Sequence, residues 1–263
     1  MTADDDRKRR LEKTVADLQD RFGLRAIGRR ARPAAPPVIA TGFAALDEAL
    51  GSGGLPLGRP SEIVGAPTSG MATLALKIIA AAQAAAAGGP LAAYLDLEKT
   101  FDPDYAARCG VDLSRLLVIR PYTARQGIAM LPDLVLNGGF GVLVVDAPLR
   151  CLAAAEAAEA LAATLARLIV PLDRAGCALL FLSALPPGSA ADGPPGQPYP
   201  AATGLPHYAA VRLLIQRERW LYRRGDVAGY EAQVLVLKNR LAAEGGTATI
   251  AITFNGVVRG DAT

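Results

Sequence analysis

The sequence predicts an α/β fold: a mainly parallel central sheet flanked by helices, with antiparallel strands at its C-terminal end. Three observations predict it. Short, almost wholly apolar runs alternate with helical segments between Glu62 and Leu182, as expected of strands buried on both faces of a parallel sheet. A glycine-rich turn, Gly65-Ala-Pro-Thr-Ser-Gly70, joins the first of these runs to a helix. Beyond Ala209 the pattern changes. Val211–Gln216, Glu231–Lys238 and Thr247–Phe254 alternate apolar with polar residues and read as antiparallel strands.

Leu11, Val15, Leu18 and Phe22 recur at i, i+4, i+7 and i+11. That spacing predicts a helix over 4–23 with one apolar face, stopped at Gly23. The basic, proline-rich stretch Arg29–Pro37 reads as a linker. The expected organisation is a helical arm at 1–28, a linker at 29–40 and a core domain at 41–263. Within the core, Glu62–Val64 is a strand and Met71–Ala87 a helix ending at Gly88-Gly89. Strand Leu91–Leu95, helix Asp104–Cys109 and strand Leu116–Ile119 follow. Helix Ile128–Asn137 leads into strand Gly141–Val145, which ends at Asp146. Helix Leu152–Asp173 and strand Ala178–Leu182 complete the alternation. Leu185–Pro206 is rich in Pro, Gly, Ala and Ser without periodicity, and is expected to be a long loop of the functional or disordered kind.

The 263 residues are 51% apolar and 20% charged, enough to build a sizeable core and against wholesale disorder. The net charge is only +3, so any DNA binding must come from a local patch. Cys109, Cys151 and Cys177 are widely spaced, with neither metal-ligand spacing nor a disulfide framework. That usage fits a reducing compartment, and the bacterial cytoplasm is the expected location. Met1–Arg10 lacks an apolar segment, so no signal peptide is expected. The alanine run at Ala80–Ala87 is too short for a membrane span. His207 is the only histidine. It is assigned to a loop end, and no metal site is expected.

Strand, glycine-rich turn and helix are the context of a phosphate-binding loop, whose pattern is G-x-x-x-x-G-K-[ST]. Here the run is Gly65-Ala66-Pro67-Thr68-Ser69-Gly70-Met71-Ala72-Thr73. Both glycines are in place. Methionine replaces the lysine that neutralises the β- and γ-phosphates. Alanine replaces the hydroxyl that ligates Mg²⁺. This degenerate Walker A argues against efficient ATP hydrolysis, and no cofactor is required. Two readings of the loop stand side by side. The backbone amides at the helix N-terminus retain weak binding of ATP or ADP with Mg²⁺, or the turn is an inherited helix start with Met71 as core filler. Asp146, after Val142-Leu-Val-Val, has the position of a Walker B carboxylate. Glu98, after Tyr94-Leu-Asp-Leu, has that of a general base.

The chain resembles the bacterial RecA recombinase family. The resemblance lies in Thr41-Gly-Phe-Ala-Ala-Leu-Asp47 with Gly51–Arg59, Tyr94–Glu98 with Phe101–Tyr105, Gly110–Leu113, Val144–Asp146 and Val236–Arg240. It spans nearly the whole chain and implies a RecA-type P-loop NTPase core with an N-terminal polymerisation arm. By resemblance, Glu98 matches the catalytic glutamate, here vestigial. Asp102 and Tyr105 match adenine contacts, and Lys238 and Arg240 match residues that reach a neighbouring subunit's nucleotide. The departures are equally specific. Ala184 replaces the sensor glutamine, the first DNA loop is shortened and the RecA C-terminal domain is absent. The second DNA loop, 185–206, lacks Lys and Arg. Strand exchange is therefore not expected. The profile resembles RecA-like accessory proteins of the ImuA kind, which implies damage-induced translesion synthesis beside an ImuB-like partner and an error-prone polymerase.

Gln216–Arg224 reads as a basic hairpin. Arg219, Trp220, Arg223 and Arg224 could hold single-stranded DNA by phosphate contact and stacking, or form a solvated charged face. The expected function is a non-catalytic accessory factor acting through protein contacts. The alternatives are a divergent DNA-dependent ATPase, and a DNA-binding module or RecA filament regulator. Homo-oligomers through residues 1–37 remain open, and no membrane partner is expected.

Overall fold

The structure, a computed structural model, describes residues 3–23, 36–85, 90–137, 139–147, 155–185, 204–253 and 258–259. The chain divides into two compact units, Met1–Ala35 and Pro36–Thr263.

The first unit is the helix α1 (Ala3–Phe22). Gly23, at φ +89°, ends it and returns its N–H to Gln19 O. Val15 and Leu18 are half-buried, whereas Leu11 and Phe22 are exposed. Most of the linker expected at 29–40 lies outside the described residues. Its last part does not: Val38 and Ile39 form a strand.

In the second unit that strand, β1 (Val38–Ile39), pairs antiparallel with β2 (Leu55–Pro56). The helix α2 (Ala44–Leu50) lies between them in sequence, and Leu46 and Leu50 are buried. None of these elements was assigned by pattern, because each is too short to show a period. Asp47 fixes the turn into α2 by accepting the Thr41 N–H at 2.9 Å.

The main sheet begins at β3 (Pro60–Gly65), followed by α3 (Met71–Ala84), β4 (Leu91–Asp96), α4 (Pro103–Arg108) and β5 (Leu116–Ile119). Then come α5 (Ala124–Leu136), β6 (Phe140–Asp146), α6 (Ala155–Ala175), β7 (Ala178–Ala184) and the single-turn α7 (Leu205–Tyr208). The strands β8 (Val211–Arg223), β9 (Asp226–Asn239), β10 (Thr247–Thr253) and β11 (Val258–Arg259) complete it. The strand order is β11-β10-β9-β8-β3-β7-β6-β4-β5. Pairing is parallel from β5 through to β8 and antiparallel beyond. The predicted fold class therefore holds.

Apolar clusters cover both faces of the sheet. On one, Leu74, Ile78 and Ile79 of α3 pack with Phe43, Leu46 and the strand residues Ile63, Tyr94 and Leu213. On the other, Leu131 of α5 and Leu161, Leu165 and Leu172 of α6 pack with Leu143, Leu179 and Phe181. This two-sided burial is why the central strands read as unbroken apolar runs.

Several boundaries differ from expectation. The helix α3 ends at Ala84 rather than Ala87, and 86–89 lie outside the described residues. The helix α5 starts earlier, at Ala124, because the Thr123 hydroxyl caps it by accepting the Gln126 N–H. Residues 148–154, where the helix α6 was expected to start, and 186–203 of the long loop are outside the description. The end of that loop is helical, as α7. Two strands and a basic hairpin, expected as separate segments, are one continuous ribbon of β8 and β9. Its turn is Arg224-Gly225, with φ +53° and +90°. Two consecutive positive φ values suit the right-handed twist of a tight hairpin.

Truncating the α6 contact with the sheet should be costly. Leu165→Ala, at a position with no solvent exposure, is expected to lower unfolding free energy by about 2–5 kcal/mol, read from the urea midpoint.

Candidate phosphate-loop site

The loop is built where β3 hands the chain to α3. Gly65 closes β3, and its carbonyl accepts the Leu185 N–H at 2.7 Å. The turn is pinned by Ser69 N–H to Ala66 O at 3.1 Å. Ala66, Pro67 and Thr68 are exposed, whereas Ser69 and Gly70 are buried. Thr68 has φ +65°, a conformation a β-branched residue holds only at a cost of order 1–3 kcal/mol. Gly70 has φ +109°, and a Cβ there would lie 2.6 Å from Ile252 Cδ1 and 3.0 Å from the Tyr230 hydroxyl. Only glycine fits. No side chain caps α3, so its first amides keep the partial positive charge of a helix N-terminus.

The two substituted positions behave differently. Met71 is half-buried and packs against the core cluster beneath the loop. Ala72 is exposed. Thr73 does not restore the lost hydroxyl. Its Oγ1 is 2.7 Å from the Tyr105 hydroxyl, turned towards α4.

Asp146 and Glu98 stand at the ends of neighbouring strands. Asp96 and Asp146 are register partners across β4 and β6. Tyr94 donates its hydroxyl to Asp146 Oδ2 at 2.8 Å. Burial pushes the Asp146 carboxyl up to about 6, and Asp96 and Glu98 add to the rise against the Tyr94 hydrogen bond. Burial and the same carboxylate raise Tyr94 well above its ordinary value.

Asp96 was not singled out from sequence, yet it builds the turn that carries Glu98. Its fully buried carboxylate accepts the Thr100 and Phe101 N–H groups at 3.0 and 3.1 Å. It also pairs with Arg120 Nε at 3.0 Å, and Arg120 reaches Phe101 O at 2.9 Å. An aspartate ending an apolar strand was the available signal. Arg120, at the end of the next strand, gave none. Glu98 is half-buried on this turn, and Lys99 beside it has φ +63°.

The remaining candidates divide. Asp102 caps α4, its Oδ1 accepting the Asp104 and Tyr105 N–H groups. Tyr105 is half-buried and held by Thr73. Lys238 and Arg240 turn to carbonyls of α7 within the same chain. Lys238 Nζ lies 2.6 Å from Pro206 O, and Arg240 donates to His207 O at 2.7 Å. Burial, together with Arg240 and Arg212, lowers the Lys238 pKa. His207 sits at the loop end, in α7.

On the hairpin, Arg219 forms a bidentate pair with Glu231 at 2.6 and 2.8 Å. Arg223 and Arg224 are exposed at the turn. Trp220 is 42% exposed and meets Tyr230 edge-on, with centroids 5.9 Å apart. Arg217, which the sequence reading passed over, stacks on Trp220 at 4.3 Å. Among the described residues, no cluster of His, Cys, Asp or Glu could hold a metal ion, and no helix is long and apolar enough to cross a membrane.

A parallel sheet carrying a glycine-rich loop between strand and helix, with carboxylates ending the neighbouring strands, defines a P-loop NTPase fold. A family model described as "RecA N-terminal domain" matches residues 9–259. The RecA protein of Frankia alni is 33% identical over 270 residues, covering 97% of this chain and 77% of that protein. That of Frankia casuarinae is 33% identical over 265 residues, covering 95% and 76%. That of Nocardia farcinica is 34% identical over 251 residues, covering 90% and 72%. The chain belongs to the RecA family.

The Asp146 shift has a signed consequence. Its folded pKa lies above the unfolded value, so the folded state binds the extra proton and stability falls as pH rises from about 4 to 6. Asp146→Asn keeps an acceptor for Tyr94. It is expected to exceed the parent in stability at pH 8 by on the order of 1–3 kcal/mol. The difference should vanish near pH 4, as read from paired urea melts.

Proposed function

We propose that this chain is a RecA-like accessory protein of DNA repair or damage-induced mutagenesis that works without hydrolysing ATP. The observation that carries the reading is the pair Met71 and Ala72 at the start of α3, where a hydrolase places an ammonium and a hydroxyl. The contact between Thr73 and Tyr105 and that between Tyr94 and Asp146 support it. The first engages the hydroxyl next to Ala72, and the second engages the Walker B-like carboxylate. The matched relatives are named RecA, which supports a role beside recombination and repair. In this reading the chain docks through α1 and the core surface onto a RecA-like or polymerase partner. The partner is an ImuB-like protein with an error-prone polymerase in translesion synthesis, in the bacterial cytoplasm. The exposed Leu11 and Phe22 on α1 give such docking an apolar contact.

A second reading, binding of single-stranded DNA without chemistry, is favoured by the hairpin. Trp220 and Tyr222 are exposed there beside Arg223 and Arg224. That combination of rings and cations suits bases and phosphates.

Turnover measurements test the main reading. Mg²⁺-ATP hydrolysis by the wild type should equal that of Glu98→Ala. Met71→Lys with Ala72→Thr should tighten Mg²⁺-ATP binding at least about tenfold in calorimetry, since a charge-assisted phosphate contact is restored. Hydrolysis clearly above the Glu98→Ala level would sink the reading.

A further inference from the structure

The ribbon of β8 and β9 carries an irregularity that decides which of its side chains meet. Arg217 is the register partner of Ala232, and Arg219 is that of Glu231, so Glu218 is an extra residue, a bulge in β8. A bulge re-aims the side chains beside it. Without it, Arg217 and Trp220, three positions apart, would face opposite sides of the ribbon. With it they share a face. The Arg217 guanidinium lies 4.3 Å from the Trp220 centroid and 5.9 Å from that of Tyr230. Arg219 turns the other way and pairs with Glu231.

The shared face borders a cavity of about 400 Å³ between the hairpin and the start of α3. That volume lies within the about 300–1,000 Å³ of cavities that bury a compact organic group. Gly70, Met71, Ala72, Trp220 and Tyr230 line it, and Arg217 is the one charged side chain on its wall among the described residues. The apolar surface continues along the ribbon, where Trp220, Tyr222 and Val227 are all exposed. Tyr222 and Val227 are register partners, so they stand side by side.

Charge decides what fits. A single guanidinium on an apolar wall complements a single carboxylate carried next to an apolar side chain. A run of phosphates meets a different field. Glu218 follows Arg217 directly, and Asp226 stands just beyond the arginines of the turn, both exposed. Acids therefore interrupt the cations along the ribbon. Tryptophan, tyrosine, arginine and methionine are also the residue types enriched at the centre of protein interfaces. Met71, unbranched and adaptable, repacks around an inserted ring at low cost.

We propose that this cavity is a docking site for a short acidic segment of a partner protein. An aromatic or large aliphatic side chain of that segment enters between Met71 and Trp220, and a neighbouring carboxylate pairs with Arg217. The proposal rests on the accessory reading above, in which the chain acts through protein contacts, and it gives those contacts a place on the core. It also gives position 71 a use for an apolar side chain, since a lysine there would put a second charge on the wall.

The test pans a phage-displayed library of short random peptides on the full chain, with counter-selection on Trp220→Ala. Peptides kept by the wild type and lost on the variant are expected to share an aromatic residue or leucine beside Asp or Glu. The most enriched peptide, synthesised, should bind the wild type in calorimetry and change the emission of Trp220, the only tryptophan in the chain. Arg217→Gln should weaken that binding at least about tenfold. Replacing the peptide's acid by its amide should weaken binding to the wild type and add little on Arg217→Gln, as a direct pair requires. Arg125→Gln makes the same charge change on α5 and should stay within about twofold of wild type. Selected peptides without an acid, or none lost on Trp220→Ala, would overturn the proposal. So would an Arg217→Gln protein that binds the peptide like wild type. Oligothymidylate that displaces the peptide and binds more tightly would assign the surface to nucleic acid. Self-association lost on Trp220→Ala would assign it to a second copy of the chain, and either result overturns the proposal. If Trp220→Ala lost its fold in urea melts, Arg217→Glu, at an exposed position, would replace it in the counter-selection. A folded Arg217→Glu protein that kept the acidic peptides would count against the proposal. Mg²⁺-ATP turnover is read on the same preparations, so a failed peptide site and a failed accessory reading are separate results.

Discussion

The buried ion pair between Glu62 and Arg212 holds the working end of this molecule together. Glu62 is on β3, Arg212 is on β8, and Oε2 and Nε are 2.6 Å apart with almost no solvent access. Ser183 on β7 donates to the other carboxylate oxygen at 3.0 Å. Burial pushes the Glu62 carboxyl up, and Arg212 opposes that rise. These three strands are neighbours in the sheet, and each feeds a different segment. The strand β3 runs into the phosphate loop, β7 into the long loop and β8 into the basic hairpin. Removing one member of such a pair leaves an uncompensated buried charge, which typically costs about 3–5 kcal/mol. An apolar trio could be as stable, so the pair is better understood as fixing register. It sets where three functional segments leave the sheet relative to one another.

That register explains how the loop holds its shape whatever side chains stand at 71 and 72. Backbone geometry at Gly65–Gly70 is imposed by the parallel pairing of β3 and by the close approach of Tyr230 and Ile252 to Gly70. None of those contacts needs a lysine at position 71 or a hydroxyl at 72. Met71 instead adds to the apolar cluster beneath. A cradle of amides is a property of the backbone, and the catalytic cation is a property of one side chain. The two can be lost independently.

Much of the fold was legible because the apolar runs at β4, β6 and β7 are buried on both sides, which leaves no polar residues to blur them. The glycines at 65 and 70 were legible because their spacing is rigid. What could not be read has physical causes. The strands β1 and β2 are two residues each, below any detectable period. The contact of Thr73 with Tyr105 joins residues far apart in sequence, so the direction of that hydroxyl was undecidable beforehand. The pairing of Arg219 with Glu231 was equally hidden, because only the β8–β9 register brings those two together. The same register puts Arg217 beside the loop. It looked like one more charge in a basic run.

The electrostatics on the two sides of the loop are now opposed. On the carboxylate side, Asp96, Glu98 and Asp146 gather, and Arg120 pairs with Asp96. In a working phosphate loop, an ammonium and a metal would stand between such carboxylates and the phosphates. Here neither the methionine nor the alanine offers either, and burial, with Asp96 and Glu98, holds the Asp146 carboxyl up to about 6. On the hairpin side, Arg217 is unopposed by any paired carboxylate among the described residues and sits against the apolar faces of Trp220 and Tyr230. The two sides of the loop therefore differ in sign, and the positive charge beside it comes from the hairpin rather than from the start of α3.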